Sequence, residues 1–190
     1  MEYICQYCGK TFKTEKGFEK HNCKYKERMM NFNHLAYTLF NMFMRYSHLS
    51  RFKDEEKQKM KFIKSRYYND FDIFSKWCAD INIINIVDYM EFLCNNNISI
   101  KEWKDEKILR CWLYNYLRKE PEWQSIERSK KFLNEKIHTS IENISSPLLY
   151  LALRNGFITK KYMDSIGFNY KDKLLISDIE MSQLVYFLEG

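Results

Sequence analysis

Apolar side chains recur at three- and four-residue steps along most of the chain, as they do on one face of a helix. One such aromatic run predicts core packing on a helix rather than stacking on nucleic-acid bases: Tyr67, Tyr68, Phe71, Phe74 and Trp77. The segment 25–49 is apolar on nearly every side, which predicts a single helix buried inside a bundle. No segment alternates apolar and polar residues over a sustained length. Beyond residue 28 we therefore expect only helices, and the predicted fold class is mainly α.

Helix boundary signals divide the rest of the chain. Asp54-Glu55-Glu56 is an acidic helix start, which suits the helix dipole. Near the C-terminus, Ser146-Pro147 is typical of a helix start and Asn155-Gly156 of a helix end with a left-handed turn. Ser177 and Glu180 have the spacing of a capping box. We predict a helical bundle over 29–140 and a small helical unit over 141–190, either separate or packed on the bundle.

The sequence around Gly156 resembles a helix-turn-helix in outline, because a helix, a glycine turn and a second helix, 160–166, follow one another. Lys160 and Lys161 are the only concentrated charge there. Helical hairpins with a glycine turn are common, so the outline favours a plain hairpin over DNA recognition.

Composition supports a helical, intracellular protein. The 190 residues include only 2 Pro and 5 Gly, whereas 45% of them are hydrophobic. Ala is rare, and Asn, Lys, Ile and Tyr are plentiful, a bias typical of AT-rich genomes such as those of phages and other viruses. No apolar run is long enough for a membrane span, and no signal peptide is expected. The protein is therefore expected in the reducing cytoplasm, in a host cell if the source is viral, with Cys78, Cys94 and Cys111 as buried free thiols.

The N-terminal segment contains a metal-ligand pattern. Cys5 and Cys8 form a C-x-x-C step, and His21 follows thirteen positions after Cys8. Thiolate and imidazole in this spacing are typical of a tetrahedral zinc site. Cys23 is the expected fourth ligand; His34 or a water is the alternative. Four closing protein ligands would make the site structural, with one zinc ion as the cofactor.

Around these ligands, Tyr3, Phe12 and Phe18 stand where the CCHH zinc finger family keeps its three small-core apolar residues. The segment from about Tyr3 to Arg28 resembles that family, which implies a β-hairpin followed by a helix and a finger domain over 1–28. Cys23, only two residues after His21, departs from the family pattern and makes the segment a CCHC variant. Residues two apart on a helix face different sides. We therefore expect the helix to end at His21, with Asn22 in a left-handed turn.

No catalytic motif accompanies this pattern. The glycines form neither GxGxxG nor GxxxxGK, and neither GxSxG nor HExxH occurs. His138 has no acidic residue or thiol immediately beside it, and no pair of carboxylates is distinguished by its spacing. The protein is therefore not expected to be an enzyme, and no small-molecule substrate is expected.

Positive charge is concentrated in the first third of the chain. Residues 1–28 contain seven Lys/Arg against four Asp/Glu, and 45–66 contain eight against three, whereas 67–190 contain sixteen against eighteen. The basic third would therefore meet a polyanion.

The resemblance implies that Thr14, Gly17 and Lys20 stand at base-reading places. Gly17 cannot read a base, and lysines suit phosphate contacts. The candidate nucleic-acid-binding residues of the finger and of the basic helix that follows are Lys10, Lys13, Thr14, Lys16, Lys20, Lys24, Lys26, Arg28, Lys57, Lys61 and Lys64. The leading hypothesis is a zinc-binding accessory or regulatory protein that holds nucleic acid, DNA over RNA, with a possible protein partner on the helical body. The alternative is a protein–protein adaptor that uses the finger and the body without nucleic acid.

Overall fold

The computed structural model describes residues 2–47 and 54–189, and in this part of the chain the fold is mainly α. It begins with a two-stranded antiparallel hairpin, β1 (Tyr3–Ile4) and β2 (Thr11–Phe12), followed by the short helix α1 (Glu15–Glu19). The remaining regular elements are helical. The predicted fold class, a ββα segment followed by helices, is therefore confirmed.

The described residues form two compact units. The first comprises Met1–Ile81 with Met90–Trp103, and the second comprises Asn82–Tyr89 with Lys104–Gly190. The predicted domain bounds, 1–28, 29–140 and 141–190, stay a prediction, because compactness does not show which segments fold independently.

The first unit contains the hairpin, α1 and four further helices. These are α2 (Lys24–Met30), α3 (His34–Tyr46), α4 (Glu55–Lys64) and α5 (Tyr68–Asp80). A helix with residues in both units, α6 (Ile86–Asn95), and a 3-10 turn at Ile100–Glu102 follow.

Aromatic rings fill the core of the first unit. The Phe40 ring centroid lies 5.2 Å from that of Phe62 and 5.5 Å from that of Phe71. The Phe71 ring in turn lies 5.4 Å from that of Trp103. Since Phe71 and Phe74 are buried, these two residues pack in the core as predicted rather than offering faces to bases.

The second unit contains the other helices. They are α7 (Glu106–Lys119), α8 (Glu122–Lys131), α9 (Ser146–Arg154), α10 (Lys160–Ser165), α11 (Tyr170–Lys173) and α12 (Asp178–Glu189). A π-helical turn, Phe132–Lys136, continues α8. Gly156 has φ +75, which confirms the predicted left-handed turn at the end of α9. Ser177 and Glu180 form reciprocal hydrogen bonds, which confirms the predicted capping box before α12.

The prediction of one helix over 25–49 was wrong. The helix is interrupted at Asn31, and α3 restarts after Asn33, whose side-chain oxygen accepts a hydrogen bond from the Ala36 N–H at 3.0 Å. The Asn33 amide nitrogen also donates to Asp72 and Ser75 of α5. The polar cap therefore outweighs the apolar pattern at this position. Residues 48 and 49 lie outside the described part of the chain.

Of the three remaining cysteines, Cys78 is buried as predicted, Cys94 is half-buried and Cys111 is exposed. Burial raises the pKa of Cys78 to about 12, and burial with the nearby Glu91 raises that of Cys94 to about 11. Cys111 lies on the exposed side of α7, because its neighbours Trp112 and Leu113 occupy the inner face.

The helical hairpin at α9 and α10 has no free cationic face at its two lysines. Lys160 pairs with Asp164 at 2.6 Å, and Lys161 donates to the backbone oxygens of Leu117 and Glu120. Both ammonium groups have partners within the unit, which supports the plain hairpin over a DNA-reading motif.

Candidate metal centre and basic surface

A tight turn after β1 places the first two candidate ligands. The Cys5 N–H donates to Lys10 O at 2.9 Å, and the Gly9 N–H donates to Cys5 O at 2.7 Å. Gly9 closes this turn with φ +74, a conformation that other residues rarely adopt. The turn between the paired strands therefore brings Cys5 and Cys8 to the same point.

Helix α1 places the third ligand. Thr14 caps it, since its Oγ1 accepts a hydrogen bond from the Gly17 N–H at 3.2 Å. Tyr3 and Phe12 pack against Phe18 with ring centroids 6.1 and 5.9 Å apart, so the three predicted aromatic residues meet, although Phe18 stays 38% exposed. The Phe12 ring lies 4.8 Å from the imidazole of His21 and positions it.

The helix does not end where the spacing predicted. Helix α1 stops at Glu19, two residues before His21, and Lys20 keeps a right-handed φ of −76. Asn22 does not adopt the predicted left-handed turn: among the described non-glycine residues, positive φ occurs at Asn82, Asn97 and His138.

The observed backbone explains how two ligands only two positions apart can meet. Residues 21–23 are neither helix nor strand, and Cys23 is extended, with φ −97 and ψ 106. In extended backbone, residues two apart point to the same side. His21 and Cys23 therefore reach one centre without a left-handed residue between them.

The four predicted ligands form one cluster. The ligand atoms of Cys5, Cys8, His21 and Cys23 all lie within 4.8 Å of one another. Cys8 Sγ and His21 Nε2 are 3.2 Å apart. A tetrahedral zinc site with bonds of ~2.0–2.3 Å would place its ligand atoms roughly 3.5 Å apart. The cluster therefore fits one metal ion after small adjustments.

Burial favours a closed centre. Cys5 and Cys23 are each 5% exposed, and Cys8 and His21 are half-buried. His34, the alternative fourth ligand, instead packs its ring 5.0 Å from that of Phe32 in the first turn of α3. Cys23 is the residue that completes the cluster.

The thiols differ in acidity. The Cys8 N–H points at the Cys5 sulfur and is the main reason that the pKa of Cys5 is lowered to about 6. At Cys8 the Lys10 N–H favours the thiolate, but burial and the sulfurs of Cys5 and Cys23 outweigh it and raise the pKa. Neighbouring thiolates repel one another, so a bound cation is needed to hold them together in ionised form.

The six lysines predicted to contact phosphate in the N-terminal segment are exposed: Lys10, Lys13, Lys16, Lys20, Lys24 and Lys26. In the described part of the chain, the ion pairs involve other residues, and none of these six ammonium groups is paired with a carboxylate. Lys10 and Lys24 lie over the rings of Phe12 and Tyr25.

The two uncharged residues at implied base-reading places have structural roles. The Thr14 hydroxyl caps α1, and a Cβ on Gly17 would lie 3.0 Å from Thr14 Oγ1. Gly17 thus allows the backbone to approach the cap closely. Lys20 remains the side chain at these places that is free to contact a base or a phosphate.

Arg28 is half-buried and is held by contacts within the first unit. Its guanidinium donates to the backbone oxygens of Ile63 at 2.8 Å and Ser65 at 3.4 Å, and to Asn69 Oδ1 at 3.2 Å. It also lies 4.3 Å from the Tyr68 ring centroid. These contacts tie α2 to α4 and α5, a role that the sequence pattern did not indicate.

The second predicted basic surface is partly neutralised by its own helix. Lys57 pairs with Asp54 at 3.4 Å, and Lys59 pairs with Glu55 at 2.9 Å. Lys61 is half-buried, and Lys64 is exposed at the end of α4. Arg51 and Lys53, which belong to the same basic stretch, lie outside the described residues.

Comparison of the chain with protein-family models, with curated proteins and with solved structures finds no match. No helix in the described part of the chain is long and apolar enough to span a membrane. The candidate site therefore rests on its own geometry.

Proposed function

We propose that the cluster holds one zinc ion in a CCHC variant of the zinc finger, and that the protein binds nucleic acid through its phosphates, DNA in preference to RNA. The donor set supports zinc, because three thiolates and one imidazole with no open position are typical of structural zinc sites. A site of this kind stabilises the segment around it, and the proposal assigns it no reaction.

The exposed, unpaired lysines support the nucleic-acid part of the proposal. Six of them lie between residues 10 and 26. Zinc bound by three thiolates carries a net charge of −1. Together with the seven basic and four acidic residues of 1–28, it leaves this segment at +2. Because the cations are free of carboxylates, they can replace the counterions of a phosphate backbone.

Selectivity for sequence is not part of the proposal. Thr14 and Gly17 form a helix cap, which leaves Lys20 among the implied base-reading places. A single finger covers ~3 base pairs, and phosphate contacts carry no direct sequence information. We expect binding that depends on charge and nucleic-acid shape, with additional contacts from Lys57, Lys61 and Lys64.

The test is the salt dependence of binding by the zinc-loaded full chain. Anisotropy titrations with a labelled generic duplex between 50 and 200 mM salt would give the slope of log K against log salt. Each lost phosphate contact reduces this slope by about 0.9. Lys16→Gln with Lys20→Gln should therefore flatten it by about two units. The matched control is Lys130→Gln with Lys136→Gln, since both residues are exposed but lie outside the finger.

Absence of binding at about 50 mM salt, where electrostatic binding is strong, would overturn the nucleic-acid proposal. Equal slopes for the two double variants would overturn the assigned surface. A single-stranded RNA and a duplex RNA of the same length, titrated in parallel, test the preference for DNA.

A second candidate function, a protein–protein adaptor, is favoured by exposed apolar side chains in the second unit. Leu175 is 88% exposed, and Ile179 and Tyr186 are each 72% exposed. Scattered apolar residues are common on surfaces, but three near one helix suit a binding face. The adaptor function predicts that Ile179→Ser abolishes crosslinking to a protein partner, whereas the lysine substitutions leave it intact.

A further inference from the structure

A cavity in the second unit lies apart from the metal cluster and the lysine surface. It has a volume of about 190 Å³ and is lined by residues of three helices: Arg110 of α7, Tyr150 and Arg154 of α9, and Gln183, Leu184 and Phe187 of α12. A space of ~10–15 Å³ on this scale holds one water, whereas pockets for drug-sized ligands have ~300–1,000 Å³. The cavity is therefore sized for a small molecule.

The polar lining residues all carry hydrogen-bond donors, and no carboxylate is among the described residues that line the cavity. They are two arginines, a tyrosine and a glutamine, while Leu184 and Phe187 are the apolar lining residues. Tyr150 and Arg154 are one turn apart on α9, so they present their side chains on the same side of that helix.

The two arginines share one carboxylate. Arg154 Nη2 lies 2.8 Å from Glu106 Oε1, and Arg110 Nη2 lies 3.3 Å from the same oxygen. Glu180 is also within electrostatic reach of Arg154, but its oxygen accepts hydrogen bonds from Ser177 in the capping box. One direct counterion therefore serves two guanidinium groups.

Arg110 is fixed, and Arg154 has donors to spare. Arg110 donates to the Arg154 backbone oxygen and to Oδ1 of Asn155, the C-cap residue of α9, while its Nε–H is buried without a partner in the described residues. Burial lowers the pKa of Arg110, and the like charge of Arg154 lowers it further. In the described structure, Arg154 Nε and Nη1 have no hydrogen-bond partner, and the Arg154 side chain is 44% exposed.

We propose that this cavity binds a small organic oxyanion, a carboxylate or a phosphate attached to an apolar body. The Arg154 fork binds the anionic oxygens through its free donors, because guanidinium groups pair with carboxylates and phosphates in bidentate geometry. Gln183 and the Tyr150 hydroxyl supply further donors. The apolar body of the ligand lies against Leu184 and Phe187. Its negative charge balances the second guanidinium group, because Glu106 can neutralise only one of the two arginines.

The test is a titration of the full chain, followed by NMR or calorimetry, with benzoate and phenyl phosphate as probes and neutral benzamide as the control for charge. Both anions should bind saturably, and the tighter one identifies the preferred head group. Arg154→Gln should weaken their binding about tenfold, since it removes a charged hydrogen-bond donor. Lys130→Gln, a charge-matched control outside the cavity, should leave it unchanged.

Arg154 is on the surface, so we expect Arg154→Gln to fold, and circular dichroism checks this. Tyr150→Phe is a second variant that keeps the ring and should weaken binding severalfold. The proposal is overturned if neither anion binds at 10 mM, if benzamide binds as tightly as benzoate, or if folded Arg154→Gln binds as the wild type does.

Discussion

Replacing Arg28 should destabilise the first unit without changing the contacts to nucleic acid. Its guanidinium bonds to the backbone oxygen of Ile63 and to Asn69, and it lies over the Tyr68 ring. Hydrogen bonds from a charged donor contribute ~1.5–3 kcal/mol in total, and a partly exposed cation–π contact contributes ~0.5–1 kcal/mol. We expect Arg28→Met, which keeps the aliphatic packing, to lower the free energy of unfolding by about 2–4 kcal/mol.

Urea denaturation followed by tryptophan fluorescence and circular dichroism measures this change. Lys26→Met is the matched control, because it removes an exposed cation from the same helix and should change stability by less than about 0.5 kcal/mol. Equal stabilities of the two variants would refute the structural role of Arg28. A salt slope for DNA binding that flattens in Arg28→Met by as much as in a finger-lysine variant would show instead that Arg28 contacts phosphate.

Three further predictions concern the finger, the thiols and a buried ion pair. Gly17→Ala should weaken zinc affinity in chelator competition, because the added Cβ would lie 3.0 Å from Thr14 Oγ1, the atom that caps α1. Lys16→Ala is the control, and equal zinc affinities of the two variants would contradict the prediction. Zinc affinity should fall as pH falls, and binding at pH 7 should release protons in calorimetry, because thiolates bind and the Cys8 pKa is raised. Glu120→Gln should destabilise the second unit by ~3–5 kcal/mol, because Arg128 would lose its buried partner. Glu127→Gln, at an exposed position, should leave the stability unchanged. Equal melting temperatures of the Glu120→Gln and Glu127→Gln variants would refute the role of the ion pair.

The metal cluster could be predicted because its geometry is local. Cys5 and Cys8 are joined by one turn of a hairpin, and His21 follows one short helix later, so spacing alone nearly determines their meeting. The end of α1 was harder to predict. Extended backbone at Cys23 brings it beside His21, whereas the spacing argument assumed a helical His21 and required a left-handed Asn22.

Helical periodicity identified the fold class but not every boundary. The apolar pattern of 25–49 continues through the break between Asn31 and Asn33, although α2 has no buried residue and the buried side chains lie on α3. The Asn33 side-chain oxygen caps α3 locally, while its amide nitrogen is held by Asp72 of α5, 39 positions away. A single-sequence pattern carries no signal for such a contact.

The roles of the arginines also depend on distant residues. Arg28 counts as one more cation in a basic segment until Ile63 and Asn69 are placed beside it. Arg154 and Glu106 are 48 positions apart, and the cavity that they border forms only when three helices meet. Composition locates charge along the chain, but it does not distinguish a cation exposed to a ligand from a cation that is hydrogen-bonded within the protein.

The most direct test of the zinc centre is the metal content of the full chain and of single cysteine variants, measured by native mass spectrometry with chelator competition. Wild type and Cys111→Ser, in which an exposed thiol outside the cluster is changed, should each hold one zinc ion with equal affinity. Cys5→Ser and Cys23→Ser should lose it or bind it at least tenfold more weakly, because each removes one of the four ligands. A zinc-free wild type, or a Cys23→Ser variant with unchanged affinity, would contradict the four-ligand centre.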